Sequence, residues 1–179
     1  MSEEVRYAPG WPGIEPRWTS SAKTGIGTAL NQHSRVWFTV SHGILNEIYF
    51  PRVDQACTRD QELIVTDGHG YFSEEKRHCT FDVHPMEPGV PVFSVTNTEI
   101  QGRYRIHKEI LTDPYRNVVL QKVRFEPLIG KLSDYHLYAL LAPHLANFGY
   151  GNTGWTGDYK GVPMFFAEHD GTALALIVG

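Results

Sequence analysis

The chain has little cysteine: Cys57 and Cys79 are the only two in 179 residues. They fit neither a zinc-ligand spacing nor a disulfide framework, and buried free thiols are expected. Long apolar runs are also missing. Tyr138–Pro143 and Thr172–Val178 are the longest, and both fall well short of the roughly 20 residues that span a bilayer, so no membrane attachment is expected. The first residues, Met1-Ser2-Glu3-Glu4, are acidic where a secretory leader is basic, which points to a cytoplasmic location. Positive charge is not in excess. Lys and Arg number 16 against 20 Asp and Glu, giving a formal charge of -4 and a pI near 6.1. A nucleic-acid footprint needs a basic stripe, which this balance does not supply.

Motifs for metal, phosphate and nucleophile chemistry are absent too. The nine histidines form no His-Glu-x-x-His, and His78, Cys79 and His84 lack a fourth ligand, so no metal site is expected; His42 and His144 read as core or turn histidines. Gly25-Ile26-Gly27 is too short for a phosphate fingerprint and reads as a tight turn. No Gly-Lys-Ser/Thr follows the glycine-rich stretch 149–161, and Ser20 and Ser21 have no matching His and Asp pattern. No cofactor is called for.

What the chain does have is strand signal. Aromatics make up 12% of it, with 17 glycines and 11 prolines marking turns. Residues 1–22 read as an extended arm punctuated by Pro9, Gly10, Pro12, Gly13 and Pro16, and residues 23–179 as one β-domain. From Arg35 the period becomes two, with Val36, Phe38 and Val40 on one face. Further strands are predicted over 44–50, 62–66, 71–72, 91–98, 103–111, 118–125, 134–141, 163–168 and 172–178. Asp170-Gly171 between two apolar runs is a hairpin signal. No window of eleven residues has helical spacing. The fold class read from this pattern is an all-β antiparallel sandwich. Its last strand, Thr172–Val178, has no turn or polar tail behind it, so the expectation is an N-terminal piece of a longer protein, incomplete at its C-terminal side. The partner of that strand would lie downstream or in a second copy, by self-association.

Specific motifs carry a resemblance. Ala8-Pro9-Gly10-Trp11-Pro12-Gly13, Arg17-Trp18-Thr19-Ser20-Ser21-Ala22-Lys23, Arg35-Val36-Trp37-Phe38-Thr39, Gly43–Asp54, Thr58-Arg59-Asp60 and Leu63–Gly68 resemble the N-terminal domain of bacterial and archaeal glucoamylases and glucodextranases, in glycoside hydrolase family fifteen. The resemblance implies a galactose-mutarotase-like super-sandwich, followed in the whole protein by a helical (α/α)-barrel that holds the catalytic carboxylates. It implies α-glucan oligosaccharides as substrates, an inverting, exo-acting hydrolysis, and the protein's own barrel as the partner of this domain.

Inverting hydrolysis needs two carboxyl groups about 6.5–9.5 Å apart. Glu47, Asp54, Asp60, Glu62 and Asp67 are the concentrated carboxylates here, but Asp54 and Asp67 sit at turns and Glu47 alternates along a strand, so none is assigned catalysis. Asn46, Glu47, Tyr49, Arg52 and Asp54 are candidates for the rim of the substrate pocket or the interface with the barrel. The competing reading of the same stretch is an internal clamp of Arg52 or Arg59 with Asp54 or Asp60. Tyr150, Trp155 and Asp158, in the glycine-rich stretch, are candidates for sugar contact, against a plain loop or interface segment. A stand-alone carbohydrate-binding or assembly domain without enzymatic activity is the alternative function.

Overall fold

The structure, a computed structural model, describes residues 22–179. The extended arm predicted over 1–22 therefore lies almost wholly outside the described residues. Thirteen strands account for most of the rest. They are β1 (Gly25–Thr28), β2 (Trp37–Ser41), β3 (Ile44–Tyr49), β4 (Thr58–Thr66), β5 (Phe72–Glu74), β6 (Cys79–Pro85), β7 (Phe93–Glu99), β8 (Tyr104–Thr112), β9 (Val119–Pro127), β10 (His136–Pro143), β11 (Thr153–Tyr159), β12 (Val162–His169) and β13 (Thr172–Leu176). One helical turn, α1 (Glu75–His78), joins β5 to β6.

All pairings are antiparallel. A six-stranded sheet runs β1-β2-β3-β4-β10 with β5 also on β4, a four-stranded meander runs β6-β7-β8-β9, and a three-stranded sheet runs β11-β12-β13. The fold is the all-β antiparallel class that the two-residue periodicity indicates. Strand β8 shows why: its residues alternate strictly between buried and half-buried, with Tyr104, Ile106 and Ile110 inside. Phe38, Val40 and Leu45 of the six-stranded sheet meet Phe93, Val95 and Ile110 of the meander, and Leu63 and Val65 meet Tyr104 and Ile106. A smaller cluster of Cys57, Leu145 and Ala167 joins the three-stranded sheet to the rest.

Two expectations are corrected. Gly25-Ile26-Gly27 is not a turn but part of strand β1, at the edge of the sheet among the described strands and paired with β2. A Cβ at Gly25 would collide with the Phe93 ring, and one at Gly27 with the Phe38 ring, so these glycines let two core aromatics lie against the backbone. The stretch 149–161 is not a loop throughout, because Thr153–Tyr159 form β11, in full register with β12. Gly157 there leaves room for the Phe166 ring. Strand β6 was also not among the predicted strands, although Cys79, Phe81 and Val83 alternate with Thr80, Asp82 and His84; it is largely exposed and pairs with β7 alone among the described strands.

Three hairpins turn on two residues with positive φ: His42-Gly43, Lys160-Gly161 and Asp170-Gly171. The third is the hairpin its Asp-Gly pair predicts. Cys57 is buried and Cys79 half-buried, and both are free thiols. His42 takes its place in the first turn with Nδ1 2.8 Å from the Ser41 hydroxyl, and His144 is buried behind β10. Among the described residues no helix is long and apolar enough to cross a membrane.

Candidate functional site

The outer face of the six-stranded sheet, turned away from the core, carries a chain of polar contacts. Glu47 on β3 accepts from the Tyr49 hydroxyl at 2.7 Å and pairs with the Lys23 ammonium at 2.6 Å. Lys23 also donates to the Asn46 side-chain oxygen. The Asn46 amide in turn donates to Asp60 Oδ1 and to the Arg59 carbonyl, both at 2.9 Å. Asp60 receives the Lys76 ammonium at 3.0 and 3.1 Å, and the backbone N–H of Lys76 donates to Glu62 at 2.8 Å. Strand alternation places Asp60 and Glu62 on the same face of β4, so one ladder feeds the whole network.

These groups are buried although they lie on an outer face: Asn46 is 1%, Glu62 3% and Asp60 7% exposed. Burial raises the Glu62 carboxyl to about 7, reinforced by the nearby carboxylates of Glu74, Glu75 and Asp60 and opposed by the Lys76 N–H. Burial also pushes the Tyr49 hydroxyl up, with its bond to Glu47 adding to the shift.

The five rim candidates fall into two groups. Asn46, Glu47 and Tyr49 belong to the buried network. Arg52 and Asp54 stand apart on the exposed loop after β3, where Arg52 Nε donates to Asp54 Oδ1 at 2.9 Å and Nη2 to Oδ2 at 2.7 Å. This bidentate pair is the internal clamp that was one of the two readings of the stretch. Arg59 lies 3.7 Å from Asp60 as a second, looser pair. Beside the clamp is an open groove of about 530 Å3, with Trp37, Arg35, Ser34, Pro51 and Val53 as its other walls.

The three sugar-contact candidates do not converge. Trp155 and Asp158 are three residues apart on β11 and so point to opposite faces, and Tyr150 precedes the strand at its other end, against Phe148. The Trp155 ring already stacks on Phe166 at 5.5 Å and 17°. Asp158 Oδ1 accepts the Gly161 N–H at 2.7 Å, closing the β11–β12 turn. Asp67 likewise serves a turn: three backbone N–H groups, of His69, Tyr71 and Gly70, hold it down to about 2. Among the described residues no group of three His, Cys, Asp or Glu side chains could hold a metal ion.

Between the sheets lies a cleft of about 880 Å3. Leu45, Ile48 and Leu63 form one wall, Val123 and Phe125 of β9 a second, and Leu174 and Leu176 of β13 a third. Sequence reasoning missed this cleft, and it also missed Lys23 and Lys76 as members of the outer network.

Comparison with known proteins fits this architecture. The family described as glucodextranase, domain N, matches residues 8–178. The chain belongs to this family. A glucoamylase from Clostridium sp. (strain G0005) is 39% identical over 165 residues, which are 92% of this chain but 24% of that protein. A solved structure of a bacterial glucoamylase complexed with acarbose superposes with a TM-score of 0.92 at 36% identity, covering 96% of this chain and 25% of that one. The domain N chain thus spans about a quarter of the length of the relatives it matches.

Proposed function

We propose that this domain is the N-terminal β-domain of a glucoamylase-like hydrolase that releases glucose from the ends of α-glucans with inversion of the anomeric carbon. The observation that carries this reading is the near-complete match of the chain to one quarter of proteins named glucoamylase. The domain by itself is inactive. The five carboxylates concentrated between residues 47 and 67 are committed to structure: Asp54 to the clamp, Asp67 to a turn, and Glu47, Asp60 and Glu62 to the outer network. Acid and base then come from the remaining three quarters, in a helical barrel, and this domain packs on that barrel and supports it. The cleft between the sheets supplies a surface for such packing, since most of its walls are Leu, Ile, Val, Ala and Phe, with Gln61, Asn117, Gln121 and Lys122 among them as polar contacts.

The test is to express the complete reading frame that contains these residues beside residues 1–179 alone, and to follow maltotetraose and isomaltotetraose hydrolysis by NMR of the anomeric protons. Glucose released first as the β-anomer by the long protein, with none from residues 1–179, is the expected result. Release of the α-anomer overturns the inverting mechanism, and turnover by residues 1–179 overturns the supporting role.

A second reading has one observation in its favour. Strand β13 pairs only with β12 among the described strands, so its other edge can add a strand from a second copy. Sedimentation of residues 1–179 across a hundredfold concentration range separates the two: a monomer throughout leaves the hydrolase-domain reading alone.

A further inference from the structure

Trp37 begins β2, directly across from Tyr49 in the register of β2 and β3. The next residue, Phe38, is fully buried in the core, while Trp37 is 38% exposed and lines the groove beside the clamp. The groove, about 530 Å3, is open, so it would hold a ligand along one side rather than enclose it.

Its walls divide by chemistry. Trp37 and Val53 are apolar, and an indole face suits the C–H face of a pyranose ring. Arg52 and Asp54 are polar and fixed against each other, since both carboxylate oxygens accept from the guanidinium. That pairing uses two of the five N–H groups of Arg52 and leaves further lone pairs on Asp54. Two adjacent sugar hydroxyls can therefore donate to the carboxylate and accept from the guanidinium at the same time. Arg35 adds a third polar wall, and its guanidinium is held over the Phe50 ring at 5.2 Å.

We propose that the groove between Trp37 and the Arg52–Asp54 clamp is a binding subsite for α-glucan oligosaccharides. This rests on the reading of the chain as a domain of a glucan hydrolase and gives that domain a direct hold on the glucan. The β11–β12 hairpin is the weaker location for such a site, because the Trp155 ring is stacked on Phe166 and Asp158 faces the other way.

The experiment titrates residues 1–179 with maltotetraose, isomaltotetraose and cellotetraose, read by tryptophan fluorescence and calorimetry. Saturable binding of an α-glucan is expected, weakened by about tenfold or more in Trp37→Ala and in Arg52→Ala, and unchanged in Trp155→Ala. Arg52 is exposed, so its variant tests the site without disturbing the core, and Trp37→Phe should keep part of the affinity. Equal affinity in Trp37→Ala and Arg52→Ala, or no binding of any of the three sugars, overturns the subsite. Binding lost only in Trp155→Ala overturns the groove while the glucan reading stands. Binding of cellotetraose but neither α-glucan at Trp37 overturns both.

Discussion

The two ends of this sandwich are built differently. Where β2, β3 and β4 face β7 and β8, Phe38, Val40, Val65, Val95, Tyr104 and Ile106 are fully buried, and a buried ion pair locks the layers together. The Lys108 ammonium lies 2.6 Å from Glu75 Oε1, with neither side chain accessible. Glu75 Oε2 also accepts the Leu63 N–H, and Oε1 the Asn97 amide, so strands β4, β7 and β8 are tied through α1. Where β9 and β13 face the same sheet, the layers part, leaving the 880 Å3 cleft with Val118, Val123 and Ile177 exposed on its walls. The difference teaches that one end is a finished core and the other is open, the end that the proposed packing on a barrel would cover.

The sharpest way to break the comparison is at the ion pair. Lys108→Met leaves Glu75 buried and uncompensated and should cost about 3–5 kcal/mol, enough to unfold a marginal domain, while Glu75→Gln added to it should recover part of the loss, because the amide oxygen removes the charge and still accepts one of the N–H groups that Glu75 holds. Urea titrations of the single and double variants check this; equal stability of Lys108→Met and the parent would mean the pair is not what joins the layers. Phe38→Ala should cost about 3–5 kcal/mol at the closed end, against less than about 0.5 kcal/mol for Ile177→Ala at the open end. If the two proved equal by thermal melts, the division into finished and open ends would be wrong.

A smaller, pH-dependent effect belongs to the outer face. The Glu62 carboxyl stands at about 7 in the fold against an ordinary value of 4.5, so the folded chain holds a proton that the unfolded chain has released. Stability from this group is therefore complete below about pH 4.5, falls as pH rises through the window to 7, and is lost above it. Glu62→Gln keeps an oxygen for the Lys76 N–H and removes the proton, so it should raise stability at pH 8 by on the order of 1–3 kcal/mol and do little at pH 4.5. Melting temperatures at the two pH values decide it, and a gain equal at both would rule the titration out. The smallest effect is at the clamp. Arg52→Ala should leave the melting temperature unchanged, because both partners are largely exposed and screened by water.

Much of the fold was legible in the sequence, for a definable reason. Strands with one wet and one dry face, β8 above all, print their period directly, and Asp170-Gly171 prints its turn. Strands β1 and β11 were misread because glycine there serves neighbouring rings, Phe38, Phe93 and Phe166, which only the sheet register brings near. The site was less legible. The clamp joins residues two apart and could be named, whereas Lys23–Glu47, Asn46–Asp60 and Asp60–Lys76 join separate segments of the chain and follow from the fold rather than from local pattern. Trp37 looked like one more alternating strand residue, and its groove exists only once the loop after β3 folds beside it.

The glycine at position 27 has a consequence for the ring beneath it. Phe38 is fully buried, lies against the backbone of β1 and meets Phe93 edge-on at 6.1 Å. Half-turns of that phenyl group are expected to slow until β1 moves away. The line shape of its aromatic resonances therefore works as a clock for the breathing of the sheet edge, readable without any label or substitution.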